Sequence, residues 1–142
     1  MITGKVMVDS NIILDILEED SAWFDWSRRQ LETLSNTCQL VINPVIYAEV
    51  SVGFKKIEEV EASLPHSFFI REPIPWEAGF LAGKCFLRYR KAGGSRKSTL
   101  PDFFIGAHAL IGGMVLVSRD MRRYRSYFPA LKLIAPSIEA AS

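Results

Sequence analysis

The chain has 142 residues, 49% of them apolar, enough to build one core, and a single domain over residues 1–142 is expected. Its apolar runs fall far short of the roughly 18–20 residues of a membrane span. The N-terminus also lacks the basic-then-apolar layout of a secretory signal, so no membrane association and a cytoplasmic location are expected. The net charge of +1 conceals a division: residues 1–83 carry 6 Lys/Arg against 13 Asp/Glu, and residues 84–142 carry 11 against 3. Either the second half meets an anionic partner or the two halves complement each other. Cys38 and Cys85 stand apart from each other and from His66 and His108, which excludes the close ligand spacing of a structural zinc site and leaves two buried, reduced thiols.

In chain order, Val6 to Val8 reads as a buried strand ending on Asp9, with Ser10 and Asn11 opening a helix. Ligand crevices in open α/β sheets lie where strands end and helices begin, so Asp9 is aimed at such a crevice. Ile12, Ile13, Ile16 and Leu17 give that helix one apolar side, placing Asp15 on the opposite, solvated side. Ser21 is expected to cap a second helix carrying Trp23, Phe24, Trp26, Leu31 and Leu34. Gln39 to Ile42 reads as a strand. Asn43-Pro44 then supplies an N-cap and a first-turn proline for a helix through Glu49 to Phe54.

Lys55 to Leu64 predicts a charged helix, an exposed lid or dimer arm, and Phe68 to Ile70 a short strand. Pro75 opens a helix to about Ala92 in which Gly79 and Gly83 are expected to permit close packing. A basic polar loop follows over Gly93 to Thr99. Pro101 restarts helix with Asp102 in its first turn, and Gly112-Gly113 stops it. Gly106, Ala109 and Gly113 give that helix a smooth side suited to close approach. Met114 to Val117 is the next strand, leading into Ser118-Arg119-Asp120. A basic aromatic helix over Arg122 to Phe128 and a last strand over Leu131 to Ile134 complete the pattern. Strands alternating with helices predict an α/β fold with a mainly parallel sheet covered on both faces.

Asp9 and Asp120 each lie just beyond an apolar strand, so neighbouring strands would set both on one rim. Glu49 sits between Ala48 and Val50 on a helix short of charge, where a surface role explains it poorly. Gathering such acids costs about 4 kcal/mol per like pair at 4 Å and an effective dielectric of 20. A bound cation removes that cost. An all-carboxylate set favours a hard dication, Mg²⁺ or Mn²⁺, which can activate water and stabilise a phosphoryl group, making phosphodiester hydrolysis the natural reaction. Without metal, at least one acid should be protonated near neutral pH.

Val8-Asp9-Ser10-Asn11, Glu49 within Pro44-Val-Ile-Tyr-Ala-Glu-Val, Pro101-Asp102-Phe-Phe-Ile-Gly-Ala-His-Ala, and Leu116-Val-Ser-Arg-Asp120 resemble the ordered motifs of PIN-domain ribonucleases, nearest to the VapC toxins of type II toxin–antitoxin pairs. The likeness runs from Val6 to about Ile134. It implies a three-layer α/β/α sandwich, and a catalytic, Mg²⁺- or Mn²⁺-binding set of Asp9, Glu49, Asp102 and Asp120. Asn11 and Ser118 match the polar residues that orient carboxylates or waters. Serine replaces the family's commoner threonine at Ser10 and Ser118, keeping the hydroxyl. The resemblance further implies an endoribonuclease acting through metal-activated water, a homodimer, and a cognate antitoxin that inserts near the acidic pocket.

RNA would be held by basic residues. Arg119, Arg122, Arg123 and Arg125, interleaved with Tyr124 and Tyr127, follow Asp120 directly, and guanidinium groups with stacking rings would flank the cut. A second basic stretch includes Lys84, Arg88, Arg90, Lys91, Arg96 and Lys97. His108, in an apolar helical context, reads as a hydrogen-bonded packing residue. Two alternatives use the same residues differently. One is a non-catalytic PIN scaffold binding a protein or RNA; the other is a haloacid-dehalogenase-like phosphatase with Asp9 as nucleophile, against which Asn11 stands where such enzymes carry a second Asp.

Overall fold

A computed structural model describes residues 2–94 and 100–136. Five parallel strands form one sheet in the order β3-β2-β1-β4-β5: β1 (Gly4–Val8), β2 (Cys38–Ile42), β3 (Phe69–Arg71), β4 (Val115–Val117) and β5 (Leu133–Ile134). Between them run α1 (Ser10–Leu17), α2 (Phe24–Ser35), α3 (Pro44–Ser51), α4 (Ile57–Ser63), α5 (Trp76–Lys91), α6 (Leu100–Ile111) and α7 (Met121–Tyr127). Successive strand residues point to opposite faces, yet Val6, Met7 and Val8 are all fully buried. Both faces of β1 are therefore covered, and the fold is the expected three-layer α/β/α sandwich. Among the described residues no helix is long and apolar enough to cross a membrane.

The register fixes the functional rim. Val8 pairs with Val117, and the Asp9 amide donates to the Val117 carbonyl at 3.0 Å, so the chain leaves β1 and β4 side by side. Asn43 caps α3 as its sequence predicts, Oδ1 accepting from the Ile46 amide at 2.9 Å with Pro44 in the first turn.

Several expectations need correction. Ser21 does not cap α2. Asp20 Oδ1 accepts from the Ala22 and Trp23 amides, both at 2.9 Å, making a turn that delays the helix to Phe24. Asp15 is not solvated but 2% exposed, because α2 folds over the side of α1 that carries it. Ser27 Oγ donates to it at 2.6 Å, and Arg119 donates through Nε and Nη2 at 2.8 Å each. Those partners make a buried carboxylate tolerable.

Gly83 is exposed with nothing within 4 Å of a would-be Cβ, and at Gly79 only Phe104 approaches, at 4.0 Å, so neither permits a close approach. The close approach is at Gly106, where a Cβ would lie 2.5 Å from the buried Phe128 ring. The last strand is also shorter than predicted, only Leu133–Ile134.

Two glycine substitutions should therefore diverge. Gly106→Ala forces the Phe128 ring from its place and should lower unfolding free energy by about 1–3 kcal/mol, whereas Gly83→Ala should raise it by roughly 0.5–1 kcal/mol through helix propensity. Urea denaturation of both variants measures the difference.

Candidate active site

Asp9 ends β1 and caps α1, with Oδ1 accepting from the Ser10 amide at 2.8 Å. Its Oδ2 accepts from Ser118 Oγ at 2.7 Å and from the Tyr124 hydroxyl at 3.0 Å, with Asn11 Nδ2 further off at 3.5 Å. Burial raises its pKa to about 6, the Glu49 charge adds to the rise, and the bonds from Ser118, Tyr124 and Ser10 oppose it. Oδ2 is thus saturated, while Oδ1 has one described partner and a lone pair left for a ligand.

Ser118 organises the rim. Its fully buried hydroxyl donates to Asp9 and accepts from Asn11 Nδ2 at 3.3 Å and the Asp120 amide at 3.0 Å, using its one donor and both acceptor sites. Asn11 completes the bridge by accepting from the Arg119 amide at 3.2 Å. Both therefore sit where they orient the first and last acids.

Glu49 reaches the rim from α3, Oε1 accepting from Ser10 Oγ at 2.8 Å. Burial raises its pKa, and Asp102 raises it further. Asp102, in the first turn of α6, has its pKa raised to about 6 by burial and by Asp9, against the pull of Arg123. Asp120 caps α7, Oδ1 accepting from the Arg123 amide at 3.3 Å and Oδ2 lying 3.2 Å from Arg123 Nη1. The same Nη1 is ion-paired with Asp102. Asp9, Glu49 and Asp102 each have their pKa raised by the charge of another of the set, and Asp120 shares Arg123 with Asp102.

An all-oxygen set in which Asp9, Glu49 and Asp102 are desolvated and repel one another suits a hard dication, and these three with Asp120 could hold one. The set is not closed around such an ion: among the described residues no three metal-ligating side chains are already gathered into a cluster.

The basic residues depart from expectation. Tyr124 is 1% exposed, so it offers no ring to a stacked base; its ring is core and its hydroxyl serves Asp9. Arg119 is paired with Asp15 and lies 5.2 Å over the Trp23 ring, where a surface free for RNA is expected from the sequence. Arg123 is drawn into the acids. Arg122 stays exposed, and Arg96 and Lys97 lie outside the described residues. Sequence reasoning missed Tyr124 as a partner of Asp9, Ser10 as a partner of Glu49, and Arg123 as a pocket cation. For Arg123 and Tyr124 the signal was the spacing from Asp120: residues three and four further along a helix return over the same rim.

His108 is buried between Asn43 Nδ2, 3.1 Å from its Nδ1, and Glu72, 3.5 Å from its Nε2. Asn43 Oδ1 is already committed to Ile46, so its amide donates to Nδ1 and the ring proton lies on Nε2. Burial lowers the His108 pKa, as befits the packing role expected of it.

Fold and rim together define a class: a parallel-sheet α/β protein with an acidic pocket at the carboxyl ends of its strands. The PIN-domain family model matches residues 6–128, and the chain belongs to the PIN-domain family. That membership sets aside the haloacid-dehalogenase-like alternative. Among solved structures, the fold is similar to a chain of VapBC2 from Rickettsia felis bound to a promoter DNA fragment, at 20% identity and TM-score 0.71, covering 92% of this chain and 98% of that one. VapBC-1 from nontypeable Haemophilus influenzae is similar at 19% identity and TM-score 0.69, covering 92% and 97%. FitAcB from Neisseria gonorrhoeae is similar at 14% and 0.70, also covering 92% and 97%. Comparison with curated protein sequences gave no match.

The raised carboxylate pKa values fix a pH dependence. An acid titrating near 6 when folded and near 4 when unfolded binds more protons in the native state between those values, so its contribution to stability is present below pH 4 and lost by pH 6. Relative to Asp9→Asn, the unmodified metal-free chain should lose about 2 kcal/mol of unfolding free energy between pH 4 and pH 7. Urea titrations of both proteins in chelator test this.

Proposed function

We propose that the chain is a divalent-metal-dependent endoribonuclease and the toxin of a VapBC-type toxin–antitoxin pair. The observation that carries the reading is the mutual influence of Asp9, Glu49 and Asp102, whose pKa values are raised by burial and by one another, to about 6 for Asp9 and Asp102, with Asp120 tied to Asp102 through Arg123. A Mg²⁺ or Mn²⁺ ion held there would supply the Lewis acidity that activates water and neutralises charge on the scissile phosphate. Asp9 presents Oδ1, because Ser118 and Tyr124 occupy Oδ2. Ser10 steers Glu49, and Asn11 with Ser118 fixes the start of the Asp120 turn.

Substrate contact falls to cations left in solvent. Arg122 and Arg125 on α7, with Arg90 and Lys91 at the end of α5, are exposed and suit a phosphate backbone. The similar folds in VapBC and FitAcB support an antitoxin partner. An apolar groove of about 440 Å³, lined by Ile13, Ile16, Leu17, Leu31, Phe68 and Phe69, suits an antitoxin segment with an apolar face.

The homodimer that the resemblance implies needs an exposed apolar surface, and α5 has one. Ala78, Ala82 and Cys85 are buried, while Trp76, Phe80 and Leu87 on another face are 93%, 70% and 46% exposed. Their spacing of four and then seven residues is one helical stripe.

Two outcomes are expected. Purified protein should cleave cellular RNA with Mg²⁺ or Mn²⁺, and Asp9→Asn should reduce the rate by about a hundredfold or more without loss of helical signal. Mapping new RNA 5′ ends in cells expressing the chain or its Asp102→Ala variant identifies the target; no metal-dependent cut with any cellular RNA would leave the scaffold reading. Separately, the double substitution Trp76→Glu and Phe80→Glu should turn a dimer into a folded monomer by analytical ultracentrifugation, and a monomer before substitution would refute the dimer.

A further inference from the structure

Arg123 is expected from the sequence at an RNA surface, yet its guanidinium lies inside the rim. Nη1 is ion-paired with Asp102 and sits 3.2 Å from Asp120 Oδ2, while the backbone amide of the same residue donates to Asp120 Oδ1. The side chain is 33% exposed, against 19% for Asp102. Arg119, the other guanidinium beside this turn, is bound to Asp15. Among the described residues, Arg123 is therefore the side-chain cation ion-paired with the pocket acids.

We propose that Arg123 is the resident counter-ion of the metal-free pocket, and that a divalent cation binds by displacing its guanidinium from Asp102. This inference rests on the metal-dependent reading given above. Three observations support it. First, Asp102 and Asp120 are engaged by the same Arg123 Nη1, so an ion that takes their oxygens competes directly with the guanidinium. Second, among the described residues a single guanidinium faces the pocket acids. A dication would bring twice that charge to the same carboxylate oxygens.

Third, the exit is physical rather than chemical. A guanidinium does not lose its proton in a protein, so Arg123 cannot vacate the site by becoming neutral and must swing out. Its side chain is long, open to solvent on one side, and set on a seven-residue helix at the protein surface. A partly exposed ion pair is screened and gives up modest energy on opening. Tyr124, the next residue, stays buried on Asp9, so α7 holds its place while Arg123 moves.

The test measures metal affinity rather than cleavage. Mn²⁺ binding is followed by titration calorimetry for the unmodified chain, for Arg123→Met, and for Arg122→Met, which removes the same charge from an exposed neighbour on the same helix. Arg123→Met should bind Mn²⁺ about tenfold more tightly or better, and Arg122→Met should change affinity by less than about twofold. Unchanged or weaker binding by Arg123→Met overturns the proposal while leaving the metal site standing. No Mn²⁺ uptake by any of the three overturns both.

Should Arg123→Met fail to fold, the unmodified protein decides. In ¹⁵N-labelled protein titrated with Mg²⁺, the Arg123 Nε–H resonance should shift in step with saturation, and a resonance that stays in place shows that the ion pair survives binding and the proposal fails.

Discussion

Removing Asp9 from water at the end of β1 raises its pKa to about 6, and three donors are nevertheless held against it: the Ser10 amide, the Ser118 hydroxyl and the Tyr124 hydroxyl. Desolvation outweighs those bonds, so the site stores an unfavourable charge that a cation can relieve. The surrounding parts follow from this constraint. Ser118 needs both acceptor sites filled to aim its proton at Asp9, which brings in Asn11 and the Asp120 amide. Glu49 and Asp102 then add repulsion that a bare pocket does not favour, and the protein answers with Arg123.

The same balance explains where the basic second half of the chain spends its charge. Arg119 neutralises Asp15 beneath the rim, Arg123 faces Asp102 and Asp120 within it, and Arg122 and Arg125 remain in solvent. Complementarity between the acidic and basic halves is thus real for Arg119, whose partner lies 104 residues away. Charge left for an outside partner is smaller than composition alone implies.

Much of this was legible from local rules. Val6–Val8 and Val115–Val117 are short apolar runs ending on polar residues, Asn43-Pro44 is a helix start, Asp9, Asp102 and Asp120 stand where strands end or helices begin, and Glu49 is an acid within a helix short of charge. The failures came from contacts that periodicity does not carry. Asp15 sits on the polar side of an isolated α1, and only the fold of α2 across it, with Arg119 arriving from β4, makes that side interior. Tyr124 and Arg123 look like a basic aromatic surface until α7 is placed beside β1. Gly83 and Gly106 both occupy helices, and which of them meets a neighbour depends on where Phe128 lands.

The pocket is assembled from segments far apart in the sequence. Ser118 and Tyr124 reach Asp9 across 109 and 115 positions of sequence. During synthesis Asp9 emerges before Ser118 and Tyr124, so two of the donors to its carboxylate arrive only when β4 and α7 have been made and docked. A chain cut short before Ser118 therefore lacks two of the three donors to Asp9, and the rim is complete only once α7 is in place.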